Sequence, residues 1–332
     1  GSAALVCGIL AAAYFRPSAA WALLFFGPLI ALGLRDCFQV RRSVLRNFPL
    51  IGRLRYVFES IRPEIQQYFI ETNTAGEPIP REVRSVVYQR AKNQLETVAF
   101  GTQRDVYQIG YEWASQSLGA VEPPEIAPRR LIGGADCSQP YESSMLNISA
   151  MSYGSLSKNA IQALNGGARI GGFAHNTGEG GISPYHLEPG GDLIWQVGTG
   201  YFGCRDAKGD FEPKRFQDRA ALDTVKMIEL KLSQGAKPGH GGILPGDKVT
   251  TEVAEIRGVE AGKTILSPPA HRAFSTPRGL VQFIATLREL AMGKPVGFKL
   301  VIGHRSDFFA ICKAIVSEGV SPDFISIDGG EG

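Results

Sequence analysis

The chain has 332 residues, 44% hydrophobic and 20% charged, with 40 glycines and a formal net charge of +3. This length allows a core of about 200 residues plus an appendage, and the near-neutral charge argues against nucleic acid as a partner. Cys7, Cys37, Cys137, Cys204 and Cys312 are scattered without C-x-x-C spacing, which argues against a disulfide framework or a cysteine-held metal within these residues and fits a reducing compartment.

In chain order, residues 3–15 and 19–34 are apolar runs separated by Arg16, Pro17 and Ser18. Helices apolar all round are rare in water, so the runs predict a transmembrane hairpin over 1–34 in preference to a buried soluble hairpin. Arg35, Arg41, Arg42, Arg46, Arg53 and Arg55 follow; the positive-inside rule then predicts a cytoplasmic-membrane protein with its remaining chain on the cytoplasmic side. Residues 35–128 form a basic juxtamembrane stretch and helical connector, with a polar helix predicted over 82–96 and an edge at Pro123, Pro124 and Pro128.

From residue 129 a strand–loop–helix rhythm sets in. Strands are predicted at 146–150, near 172–175, at 228–233, 264–266, 296–301 and 324–327. The loops that follow them are rich in Gly, Ser, Thr or Lys. In 228–233, Ile228, Leu230 and Leu232 alternate with Glu229, Lys231 and Ser233, the pattern of one buried face. The strand runs into KLSQGAKPGHGG at 231–242. Helices are predicted after Ser157, over 250–256, around Leu280, Phe283, Ile284 and Leu287, and around Phe308, Ile311 and Ile315. About six βα units with ligand-type loops after nearly every strand predict an α/β fold, a (β/α)8 TIM-type barrel incomplete in this chain. A doubly wound sheet would gather its ligand loops at one switch point.

Two motifs are rejected. GTGYFG at 198–203 matches G-x-G-x-x-G, but Asp206, Gly209 and Pro213 follow where the required helix would start. GVEAGKT at 258–264 has too few residues between its glycines for a phosphate loop and precedes a strand. The histidines His175, His186, His240, His271 and His304 lack metal-ligand spacing.

ISAMSYGSLS (148–157), RIGG and NTGEGG (169–181), QGAKPGHGG (234–242), ILSPP (265–269), FKLV (298–301) and IDGGEG (327–332) resemble the FMN-binding synthase domain of the glutamate synthase family in order and spacing. The preceding hairpin and connector resemble its stand-alone branch, which lacks a glutaminase domain. The resemblance implies that 2-oxoglutarate and ammonia condense to 2-iminoglutarate, which reduced FMN converts to glutamate. Electrons would come from ferredoxin or an NAD(P)H-linked reductase. It also implies that Met151, Ser152, Tyr153 and Gly154 lie against the flavin ring and that Gln234 bonds its polar edge. Thr177, Asp328, Gly329 and Gly330 would line the same mouth. Lys299, flanked by Phe298 and Leu300, would place a cation beside the ring as a catalytic and cofactor-binding residue, and Lys237 would meet a substrate carboxylate.

Two departures from the family pattern carry further expectations. His240 stands where bifunctional members carry the glutamate tied to glutaminase coupling, which fits ammonia taken from elsewhere or another amine, as in an N-methylglutamate synthase. Barrels of this kind run to about 250 residues, with phosphate held after strands 7 and 8. A longer parent protein is therefore expected, with the FMN phosphate site and a 3Fe–4S cluster beyond Gly332. A membrane-anchored barrel scaffold without chemistry is the non-enzymatic alternative; Gln234 and Lys299 count against it.

Overall fold

The computed structural model describes residues 2–77, 79–94, 102–115, 117–122, 124–237 and 241–330. His240, the end of the helix expected over 82–96, Pro123 and the last two residues of IDGGEG fall outside them. The chain divides into two compact units, Gly1–Gln116 and Ser117–Gly332.

The first unit is helical: α1 (Ser2–Phe15), α2 (Ala22–Phe38), α3 (Ser43–Asn47), α4 (Gly52–Ile65) and α5 (Arg81–Ala91). Pro17–Trp21 forms a 3-10 turn where the sequence breaks at Arg16 and Pro17. The membrane expectation is corrected here. Among the described residues, no helix is long and apolar enough to cross a membrane. At 1.5 Å per residue, the 14 residues of α1 and 17 of α2 fall short of a hydrocarbon core of about 30 Å. Helix α2 also runs past Leu34 into Arg35 and Asp36. Asp36 is buried and accepts two hydrogen bonds from Arg53 and one from the Leu50 N–H, so it fixes the end of α2 to the start of α4. The cytoplasmic-membrane location falls with the hairpin.

The second unit begins with an antiparallel pair, β1 (Arg129–Ile132) and β2 (Tyr141–Ser144). There follow α6 (Lys158–Gly171), β3 (His175–Asn176), α7 (Pro184–Leu187), β4 (Leu193–Val197), α8 (Pro213–Ala220), β5 (Val225–Lys231), β6 (Ile243–Leu244) and α9 (Thr251–Arg257). The series ends with β7 (Ile265–Leu266), α10 (Pro277–Leu290), β8 (Val296–Leu300), α11 (Arg305–Glu318) and β9 (Ile325–Ile327). Local chemistry sets the helix starts. The hydroxyls of Ser157, Thr250 and Thr276 accept from the Ala160, Val253 and Gly279 N–H groups, satisfying amide groups that have no partner in the first turn.

Five strands form a parallel sheet in the order β3-β4-β5-β8-β9. An added parallel bridge, Ile148 to His175, brings the 146–150 segment alongside β3. Strand order follows chain order without reversal, so the sheet has no switch point; it curls as part of a barrel. One face is dry. Trp195, Phe216, Ile228, Leu230, Ile284, Leu287 and Phe298 pack there in the main core, with α8, α10 and α11 contributing the cover. The other face turns Gln196, Glu229, Lys231 and Lys299 inward. A smaller apolar cluster of Ala174, Ile194 and Met227, backed by Ile132 and Tyr141, fills the amino-terminal end of this concave face.

The strand tally differs from the expectation in one exchange. Residues 264–266 do not join the parallel sheet; β7 pairs antiparallel with β6 in a side hairpin. The strand that belongs in the sheet is β4, the apolar run before the rejected G-x-G-x-x-G motif, and all five of its residues are buried. After β4 no helix begins until Pro213.

Candidate active site

Glu229 sits centrally on the inner face of β5 and is 3% exposed. A carboxylate there is stable only with donors around it. Asn176 Nδ2 at 2.8 Å and Gln196 Nε2 at 2.6 Å both donate to its Oε1, and Ser326 Oγ donates to Oε2. Four strands of the sheet, β3, β4, β5 and β9, thereby converge on one side chain. Asn176, Glu229 and Ser326 line a cavity of about 410 Å³ together with Ala150, Lys299 and Asp328.

At the carboxyl ends of β5 and β8 the register pairs Lys231 with Lys299. Like charges side by side on adjacent strands repel, and each has its own carboxylate. Lys231 Nζ lies 3.1 Å from Glu179 and Lys299 Nζ lies 3.1 Å from Asp328. All four side chains are under one fifth exposed, so screening by water is weak. Lys231 also donates to Gln234 Oε1. Asp328 bonds the Gly235 N–H at 3.0 Å through its other oxygen. Gly235 could not carry a side chain there: a Cβ would stand 1.7 Å from the Gly329 carbonyl oxygen. These contacts bring Lys299, Gln234, Asp328 and Gly329 together, with Gly330 next in chain. Lys237 is half-buried in the same loop.

The turn at Met151, Ser152, Tyr153 and Gly154 is held from below. His186 Nε2–H donates to the Met151 carbonyl at 3.0 Å, and its Nδ1 accepts from the Ser183 N–H at 3.1 Å. Burial pushes the His186 pKa down, consistent with this neutral bridge. Ser152 Oγ pairs with Ser155 Oγ. The Tyr153 side chain leans away from the concave face toward α9, where Tyr153 and Tyr185 both donate to Glu252. Burial, and then the Glu252 bond, raise the Tyr153 pKa. Gly154 takes a φ of +96°. Thr177 is fully buried, its hydroxyl donating to the Gly178 carbonyl and accepting from the Gln196 N–H; it supports the wall and offers no free hydroxyl to the mouth.

Arg257, 4% exposed, donates to the Tyr153 carbonyl at 3.1 Å. Burial lowers its pKa, and Glu179 offsets part of that effect. Sequence reading alone singles out neither Glu229, Glu179, Lys231 nor Arg257. The available signal was a polar residue at alternate positions of an otherwise apolar strand. The pattern reads as a solvated face, but inside a curled sheet that face is buried too.

Residues 124–332 match the model of the conserved region in glutamate synthase. The chain belongs to the glutamate synthase family. The glutamate synthase large subunit-like protein YerD of Bacillus subtilis is 36% identical over 339 residues, covering 90% of this chain and 64% of that protein. An archaeal-type glutamate synthase [NADPH] of Thermotoga sp. is 39% identical over 181 residues, covering 54% of this chain and 32% of that relative. The archaeal glutamate synthase [NADPH] of Archaeoglobus fulgidus is 37% identical over 183 residues, with 54% and 32% covered. The chain therefore spans less than two thirds of these glutamate synthase relatives. Its YerD match covers most of the chain, including part of the helical first unit as well as the barrel.

Proposed function

We propose that the concave face forms the flavin and substrate side of a glutamate synthase, in which 2-oxoglutarate and ammonia become glutamate. The observation that carries this reading is the paired cations Lys231 and Lys299, each matched to a carboxylate, with Lys299 and Asp328 lining the cavity in the family-matched region. The residues fit FMN. A cavity of about 410 Å³ has the scale of a small-ligand site, and Lys299 supplies a cation to its wall. Gln234 uses its amide oxygen on Lys231, leaving the amide N–H groups as donors. FMN when bound supplies the hydride that reduces the substrate imine.

The protein's own residues bind, position and balance charge. Lys299 favours negative charge beside the ring, and Asp328 fixes where the ammonium sits. The Met151–Gly154 turn, anchored by His186, offers backbone groups in a fixed place. Lys237 is the cation for a substrate carboxylate, and Glu179 balances Lys231. Reducing equivalents would come from a nicotinamide-linked or ferredoxin-type donor.

The test is reconstitution of the full-length protein with FMN, followed by chemical reduction and addition of 2-oxoglutarate with ammonium. Glutamate formed in proportion to flavin supports the reading; bound flavin with no glutamate refutes it. Methylamine in place of ammonium tests the amine specificity.

A further inference from the structure

A second cavity, about 470 Å³, lies between α8 and α9 on the outer side of the sheet. Its walls carry four guanidiniums: Arg205, Arg215, Arg219 and Arg257. Arg215 and Arg219 stand one turn apart on α8, a spacing at which like charges repel. Arg205 and Arg257 lie 5.5 and 5.2 Å from the ring of buried Phe202, which offers each a polarisable contact but no counter-charge. Among the described residues, none of the four arginines makes an ion pair within 4 Å. The Nε atoms of Arg205 and Arg257 are buried without a hydrogen-bond partner.

The pocket's two carboxylates do not remedy this. Asp218 is engaged by Lys214 at 2.8 Å, and Glu255 is exposed and pairs with none of the arginines. Buried donors left unsatisfied are costly, and Glu179, the carboxylate that offsets part of the burial of Arg257, is itself ion-paired with Lys231. Guanidinium groups present paired N–H donors that match phosphate or carboxylate oxygens. The volume exceeds that of a bare ion and suits a small molecule.

We propose that the pocket between α8 and α9 binds a multivalent oxyanion the size of pyrophosphate or a small phosphate ester. It is separate from the concave face, although Arg257 touches both: it lines this pocket and also bonds the Tyr153 carbonyl.

The experiment is calorimetric titration of the full chain, at fixed ionic strength, with pyrophosphate, inorganic phosphate and citrate. Saturable one-site binding by at least one of them is expected, with the order of affinity showing whether a phosphoryl or a carboxylate source is preferred. The exposed pair Arg215→Ala/Arg219→Ala should weaken binding about tenfold or more while the thermal midpoint of the ligand-free protein holds. Two results overturn the proposal: no saturable binding up to about 10 mM of any of the three, or equal affinity in the double variant. If the double variant does not fold, Arg205→Gln carries the same expectation of weakened binding.

Discussion

Glu229 is the residue on which the inner face depends. Its carboxylate satisfies donors from Asn176, Gln196 and Ser326, so Glu229→Ala leaves two buried amides and the half-buried Ser326 hydroxyl unmatched. We expect a loss of about 3 kcal/mol of stability, and roughly half that for Glu229→Gln, which keeps an acceptor oxygen. Urea unfolding of the three proteins checks this; an unchanged midpoint for Glu229→Ala would remove the network from the account. His175 and His271 make a separate, pH-dependent contribution. Burial lowers each to about 4 from the ordinary 6.5. Both are neutral in the native protein where the unfolded chain takes up protons. Stability is therefore highest above about pH 6.5, falls as pH drops toward 4, and loses nothing further from these groups below that. The expected loss is about 3 kcal/mol per histidine. His271 donates to the Lys231 carbonyl and contacts the Tyr201 hydroxyl. In His271→Gln the slope of stability against pH over this window should fall by up to one proton.

The loops after β5 and β9 act as one element. Asp328 bonds the Gly235 N–H, and Gly235 packs on Gly329 so closely that a methyl group has no room. Gly235→Ala should separate the loops and move the Lys299–Asp328 pair with them. Flavin affinity is expected to fall about tenfold or more, measured by fluorescence quenching; unchanged affinity would show that the loop junction does not position the site. Helical elements were readable because their signals are local. Ser157 caps α6, and Leu280, Phe283, Ile284 and Leu287 recur at helical spacing on a face that is buried. Strand partners were less readable. Residues 264–266 and 193–197 are both short apolar runs, and only long-range packing decides that β4 enters the sheet while β7 folds back on β6. The inner face was misread for the same reason: curvature buries Glu229 and Lys231, and alternation alone cannot signal curvature.

For the whole molecule, the parallel order β3-β4-β5-β8-β9 gathers the carboxyl ends of the strands around the concave face, where Lys299 and Asp328 pair. The apolar amino-terminal runs show the limit of composition. They are helical as expected, but their lengths and the buried Asp36–Arg53 pair do not make membrane spans. On the proposed function, Lys299, fixed by Asp328, makes the mouth of this curled sheet a flavin site for imine reduction. Single-turnover reoxidation of the reduced, FMN-loaded full-length protein by 2-oxoglutarate and ammonium, in wild type and Lys299→Met, tests it most directly. Rapid reoxidation with glutamate formed is expected in the wild type, and a rate at least about 100-fold lower in Lys299→Met with the flavin still bound. Equal rates in the two proteins would contradict it.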